Sequence, residues 1–303
     1  MKTWPLTLLA ALLASCESRP NAANLTERTS TEHSMFSQAD SYDRFMGRWS
    51  KLIAPSLVDF SEIGDVPAVL DVGSGTGALA FAVRDATTTT RVLGIDLSRE
   101  YVDYAAAKSD DARVRFEVGD AQALRLQSGS FDRTTSLLVL NFVPDPRRAL
   151  AEMIRVTKPG GVLSAAVWDY DKGMEMLRIF WDEAVALNPT IALLDERNMP
   201  LCKQGELSAL FREANLDKVV EKALIARLRF ASFDDYWEPF RLGQGPAGAY
   251  VRNLSSAQQA RLRDRLRQRL LASGADRPNE LSARAWAAKG TVPQGQHRGA
   301  TSF

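Results

Sequence analysis

Residues 69–77 read Val-Leu-Asp-Val-Gly-Ser-Gly-Thr-Gly. An acid, Asp71, stands just before three alternating glycines, Gly73, Gly75 and Gly77. A glycine-rich turn between a strand and a helix lets the backbone approach a nucleotide closely. A triphosphate loop would continue with Lys-Ser or Lys-Thr, but Ala78-Leu79 follow, which excludes it. A dinucleotide fingerprint is satisfied literally by Gly73 to Ala78, and Asp96 stands near the place of a ribose-binding acid. Glycine spacing plus one acid therefore leaves a nicotinamide cofactor open. Asp71 argues otherwise: a carboxylate there repels a pyrophosphate and suits a ligand carrying an ammonium and a sulfonium. Asp120 could accept a hydrogen bond from an adenine amine, or serve only as a turn residue.

These residues need a scaffold that gathers strand ends. Five strand-like runs begin at "AVLDV" (68–72), "RVLGIDL" (91–97), "VRFEVGD" (114–120), "FDRTTSLLVL" (131–140) and "GVLSAAVWDY" (161–170), with helical periodicity between them. Ser98 is placed to cap the helix after the second. Lys158-Pro159-Gly160-Gly161 reads as a turn stopping the helix before the fifth. Strands alternating with helices predict a doubly wound, Rossmann-like α/β sheet, mostly parallel, with ligands beyond the strand C-termini. Asp71, Asp96, Asp120 and Asp169 would then ring one crevice.

Upstream, residues 35–60 have helical spacing around Phe45, Trp49 and Leu52, with Pro55 expected to break or restart the helix. Downstream, the alternation breaks. Apolar-faced helices over 171–204 and 231–275 read as lid insertions. Strand-like runs near 217–232 and 281–292 complete the sheet, the last expected antiparallel. "SSAQQARLRDRLRQRLL" (255–271) is helical, with a Ser255–Gln258 capping box and Leu262, Leu266 and Leu270 on one face. Its alternate arginines read as a solvated face rather than a nucleic-acid surface. The domain plan is therefore 1–34 signal-like segment and linker, 35–170 nucleotide-binding core, 171–293 lid insertions and completing strands, and 294–303 tail.

The 303 residues are 45% hydrophobic and 25% charged, with net charge +1, so no global field points to nucleic acid or an anionic membrane. Two cysteines and two histidines make a Cys/His metal site a poor reading. The N-terminal apolar stretch is too short to span a bilayer. Leu13-Ala14-Ser15-Cys16 resembles a lipoprotein cleavage box, which would anchor the chain at a lipidated Cys16. Alternatively, translation starts at Met35 and the protein is cytoplasmic.

"VLDVGSGTG", "GIDLS", "GDAQAL", "FDRTTSLLVLNFVPDP" and "RVTKPGGVL" together resemble the class I S-adenosylmethionine-dependent methyltransferases, specifically the methyltransferase type 11 group. "YDRFMGRWS" resembles a lead-in helix of that family. The resemblance is close over 35–170 and looser over 205–293. It implies S-adenosylmethionine as cofactor. Gly73, Gly75 and Gly77 would admit its methionine part, with Asp71 near the amino group. Asp96 would bind the ribose hydroxyls, Leu97 would pack on adenine, and Asp120 and Ala121 would meet the adenine edge. Ser136 and Leu137 would line the sulfonium. Tyr42 and Arg48 would be lid contacts, Arg48 pairing with the methionine carboxylate. Asn141 stands where many relatives carry His, so a histidine-based role there is in doubt.

Methyl transfer is an in-line displacement, in which the protein mainly positions two partners and excludes water. With no convincing histidine base, the expected acceptor is a small molecule that ionises easily or is already nucleophilic. Asp169, Tyr170 and Tyr42 are candidate helpers. The aromatic residues of the lid suit an apolar acceptor, or pack lid to core. Two other functions stay open: a nicotinamide-dependent oxidoreductase, and a non-catalytic, membrane-tethered lipoprotein with this fold.

Overall fold

The computed structural model describes residues 37–272 and 274–294. The signal-like segment with Cys16, the alternative start at Met35, and His33 and His297 lie outside them.

The strand β1 (Ala68–Val72) is almost wholly buried, as its apolar composition requires at the centre of a sheet. It is flanked by β2 (Arg91–Asp96) and β4 (Phe131–Leu137), with β3 (Val114–Val118) beyond β2. On the other side lie β5 (Thr157–Trp168), β7 (Asn279–Thr291) and β6 (Asp217–Phe230). The order β3-β2-β1-β4-β5-β7-β6 reverses direction between β1 and β4. That switch point opens a crevice beyond the C-terminal ends of both strands. Strands β1 to β5 are parallel, and β7 runs antiparallel to both β5 and β6. The expected doubly wound sheet with an antiparallel last strand is the one observed.

Topology decides where the insertions emerge. Because β6 is antiparallel to β7, it points the same way as β1 and β4. The segment after β6 therefore leaves from the crevice edge, as does the segment after β5. The latter carries α6 (Glu175–Leu187) and short 3-10 turns, with α7 (Glu206–Glu213) leading into β6. The former carries α8 (Phe233–Arg241), α9 (Gly245–Arg252) and α10 (Ser256–Leu271). The Ser255–Gln258 capping box forms as its sequence requires. The arginines of α10 are not simply solvated: Arg263 pairs with Asp234, Arg265 with Glu183 on α6, and Arg267 with Asp276.

The lid aromatics pack among themselves. Phe180 stacks on Phe240 at 4.5 Å between ring centres, Phe45 meets Phe240 edge-on at 5.2 Å, and Tyr236 donates to the Met176 carbonyl at 3.0 Å. Met174, Met176, Phe180, Trp181, Phe233, Tyr236, Trp237 and Phe240 are all buried, which makes them lid-to-core packing.

Two local expectations are corrected. Lys158-Pro159-Gly160-Gly161 is not a free turn after α5 (Pro146–Val156) but part of β5, bulged where Phe131 pairs with Thr157 and Arg133 with Val162. Bonds between Gly160 and Val292 (2.8 Å) and between Val292 and Gly161 (2.9 Å) tie the bulge to the end of β7. Pro55 does not interrupt α2 (Arg48–Phe60). It lies on the exposed side of that helix, where the carbonyl deprived of its N–H partner can turn to water. Pro55→Ala restores the missing bond in an otherwise regular helix. It should stabilise the protein by about 1 kcal/mol in urea unfolding; a loss of stability would show that the proline shapes the helix rather than being tolerated by it.

Candidate functional site

The crevice narrows to a cavity of about 160 Å³ at the switch point. Among the residues lining it are Tyr42, Asp71, Gly73, Gly75, Asp96 and Leu137. The lining comes from the ends of β1, β2 and β4, from the helices that follow β1 and β2, and from the N-terminal helices.

The glycine turn joins β1 to α3 (Ala78–Ala86). Gly73, Gly75 and Gly77 all take positive φ, at +76°, +52° and +90°. Only glycine adopts this succession without strain. A side chain at Gly75 would meet nothing within 4 Å, so the turn curves around open space. The turn is pinned from β2: the N–H groups of Gly73 and Ser74 donate to the Ile95 carbonyl at 2.7 and 2.9 Å. Asp96 holds its end. One carboxylate oxygen accepts from Gly75 N–H at 2.8 Å, the other from Ser98 N–H at 2.9 Å. Burial nevertheless raises the Asp96 pKa, with these backbone bonds opposing it. Ser98 caps α4 (Arg99–Ala107) as its position suggested.

Asp71 is fully buried, and neither carboxylate oxygen has a hydrogen-bond partner. Burial, reinforced by the nearby Asp96, pushes its pKa up to about 8. The Ala80 N–H leans toward it and offsets a little of this, without completing a hydrogen bond. Asp71 is thus no helix cap. Ser74 Oγ, Ser136 Oγ and both amide atoms of Asn141 are likewise buried without partners. Ser74 faces the cavity with Asp71. Buried polar groups are almost always satisfied, so a cluster of exceptions at a switch point marks a ligand position. Leu138, on the same wall, holds φ at +66°, a conformation that a branched side chain adopts only under constraint.

The structure brings together Tyr42, Asp71, Gly73, Gly75, Asp96 and Leu137, with Gly77 closing the turn and Ser136 adjoining on β4. Leu97 follows Asp96 and is 57% exposed, an unusual state for leucine beside a crevice. Asp120 follows β3, where its carboxylate accepts from its own turn at Gln122 (2.8 Å), with Ala121 half-buried beside it. Neither lines the cavity. Arg48 is not brought there either. Its guanidinium lies on Asp235 at 2.7 and 3.2 Å and over the Phe230 ring, so pairing with a ligand carboxylate is not supported. Asp169 is also committed: it accepts from Arg284 at 2.5 and 2.9 Å and from the Lys172 N–H at 3.0 Å. Tyr170 is buried, and burial holds its hydroxyl far above its ordinary pKa, helped by Cys202, Glu196 and Tyr42 nearby.

Several site residues carried no recognisable signal. Ser50, Tyr101, Leu138, Val139 and Phe142 line the cavity from elements whose sequence shows only helical or strand periodicity. Tyr101 meets Tyr42 at 5.5 Å between ring centres. Glu196, buried in the segment after α6 and hydrogen-bonded by the Trp181 indole, has its pKa raised by burial to about 7. Among the described residues no cluster of His, Cys, Asp and Glu could hold a metal, and no helix is long and apolar enough to cross a membrane.

Comparison with known proteins agrees with this geometry. Residues 70–165, which carry β1 to β5 and the glycine turn, match the methyltransferase domain family. Over that stretch the core resembles a methyltransferase domain. The chain is 31% identical over 137 residues to a malonyl-[acyl-carrier protein] O-methyltransferase of Hahella chejuensis, covering 45% of this chain and 49% of that protein. It is 33% identical over 147 residues to a demethylmenaquinone methyltransferase of Renibacterium salmoninarum, covering 48% and 58%. The chain thus spans about half the length of the curated relatives it matches. Its fold is similar to that of Haemonchus contortus phosphoethanolamine N-methyltransferase 2, solved with S-adenosyl-L-methionine, at TM-score 0.52 and 17% identity over 86% of this chain and 57% of that one.

Burial raises the Asp71 pKa to about 8, so in the folded protein the group should hold a proton at neutral pH that the unfolded chain releases. Its folded-state pKa is raised, so the contribution of Asp71 to stability is fully present below about pH 4 and declines as pH rises toward about 8. Asp71→Asn removes this decline. Its stability advantage in denaturant unfolding should be near zero at pH 4 and roughly 2 kcal/mol or more at pH 8. A pH-independent difference would place the Asp71 pKa in the ordinary range. Separately, Arg284→Met strands the buried Asp169 carboxylate and should cost roughly 2–3 kcal/mol. An unchanged unfolding midpoint would show that Asp169 finds another partner.

Proposed function

We propose that the protein is an S-adenosylmethionine-dependent methyltransferase acting on a small-molecule acceptor. The observation that carries this reading is Asp71: a buried carboxyl with no partner, facing the space enclosed by the glycine turn. A pyrophosphate placed there would meet a second anion. An ammonium beside a sulfonium would instead supply the missing partner, which separates this cofactor from a nicotinamide dinucleotide.

S-adenosylmethionine supplies, when bound, a methyl group activated on its sulfonium. The chain's own residues bind, orient and shield. Asp71 accepts the amino group. Asp96 takes the ribose hydroxyls on the lone pairs left beside Gly75 and Ser98. Leu97 offers adenine an apolar face, with Asp120 and Ala121 along its edge. Ser136 and Leu137 border the reacting centre, and Tyr42 closes it from the N-terminal helices. Alignment and exclusion of water account for most of the acceleration in such a displacement.

The relatives' names give acceptors as unlike as an acyl-carrier-protein conjugate and demethylmenaquinone, so this chain's own side chains are the better guide. Asp169 is held by Arg284, and Tyr170 is a phenol kept neutral by burial. Neither is a free base at neutral pH. This supports an acceptor whose nucleophilic atom ionises cheaply, and an unactivated aliphatic alcohol as the true acceptor would sink that part of the reading.

Calorimetric titration of the full chain with S-adenosylmethionine, S-adenosylhomocysteine and NAD tests the cofactor. Micromolar binding of both sulfur ligands and none of NAD is expected, with loss of at least tenfold in Asp96→Ala. Binding must also expel the Asp71 proton, so affinity for S-adenosylhomocysteine should climb between pH 6 and pH 8 and become flat in Asp71→Asn. Binding of NAD alone would replace this function with a redox one.

A further inference from the structure

Asp43 accepts hydrogen bonds from four different residues, and nothing in the proposed chemistry uses it. It lies in a π-helical turn (Asp43–Gly47) that joins α1 (Ser37–Tyr42) to α2 and is only 7% exposed. One oxygen accepts from the Thr76 hydroxyl at 2.7 Å. The other accepts from Lys51 at 2.7 Å, Lys108 at 2.8 Å and Tyr104 at 3.3 Å. Burial favours the neutral acid, but the hydrogen bonds from Lys108, Lys51 and Thr76 outweigh it and hold the pKa below its ordinary value. Asp43 is therefore held toward its ionised form, where burial holds Asp71 toward the neutral acid.

Its surroundings are shaped for it. A side chain at Gly47 would approach the Asp43 oxygen to 2.5 Å. Asp43, Gly47 and Lys51 recur every four residues, so one helical face presents the carboxylate, a notch that admits it and a cation beside it. Thr76 belongs to the glycine turn and lines the cavity, and Tyr42, next to Asp43, lines it too. Glu100 holds the same segment from the other side, accepting from the N–H groups of Gln38 and Ala39 at 2.9 and 3.0 Å.

We infer that Asp43 is a positioning residue that acts through Thr76: it fixes the glycine turn in its ligand-accepting shape and docks Tyr42 over the cavity. This rests on the cofactor reading above for its ligand, but not for the behaviour of the turn. The lysines hold the carboxylate ionised and oriented, and Thr76 carries its position into the loop.

The test uses Thr76→Val, which deletes the hydroxyl, Gly47→Ala, which displaces the carboxylate, and both together in the full chain. Each single variant should weaken S-adenosylhomocysteine binding about tenfold. The double variant should be no more than about tenfold weaker as well, because both break one connection. Thr76→Ser should bind like the original. An additive loss of about a hundredfold, or a Thr76→Ser variant as weak as Thr76→Val, would overturn the inference. Amide hydrogen exchange without ligand gives the second arm. The N–H groups of Gly73, Ser74, Gly75 and Gly77 are all bonded within the turn or to β2, and should exchange several-fold faster in each single variant. Original exchange rates in both variants would overturn the positioning role. If the unaltered chain binds no S-adenosylhomocysteine, the cofactor reading fails, while the exchange arm still decides the role of Asp43.

Discussion

A carboxyl group buried without a partner at the end of the central strand is the constraint around which this fold is arranged. Asp71 is not ionised cheaply, because desolvation and the neighbouring Asp96 both oppose it. Everything nearby preserves that state: β1 is covered on both sides, the glycine turn keeps side chains away, and Asp96 directs its own oxygens toward backbone N–H groups. The site stores unsatisfied polarity rather than removing it, which is the expected signature of a binding position in an otherwise well-paired protein.

A second acid answers the first. Asp43 is ionised and surrounded by donors, and it reaches the same glycine turn from the N-terminal side. The two carboxylates lie on either side of one short loop and divide two tasks. Asp71 leaves both oxygens unpartnered, while Asp43 spends its own on Thr76, Lys51, Lys108 and Tyr104, so one residue type serves opposite ends of the loop in opposite states.

The sheet was legible because short strand-like runs alternate with segments of helical periodicity, and the family motifs fall at the strand ends. The glycine turn, Asp71, Asp96 and Leu137 could be placed for that reason. The failures have a common physical origin. The partner of Arg48, Asp235, lies far along the chain on the lid, and the partner of Asp169, Arg284, arrives from the last strand. Local pattern shows which side chains can carry charge, but not which distant group claims it. Asp43 shows the same limit from the other side, since its four partners come from three separate segments. The lid aromatics were ambiguous because burial against a ligand and burial against a helix produce the same composition. The Lys-Pro-Gly-Gly bulge was missed because turn chemistry also serves an irregular strand.

The pairing of β6 with β7 has a consequence for how such a protein can change. Phe230 at the end of β6 faces Asn279 at the start of β7, so the whole of α8 to α10 leaves and returns through one closed pair of residues. A segment bounded in this way is a cassette. Its contents are still anchored to the N-terminal helices, where Phe240 meets Phe45 and Asp235 holds Arg48, so the cassette can be exchanged only together with those two contacts.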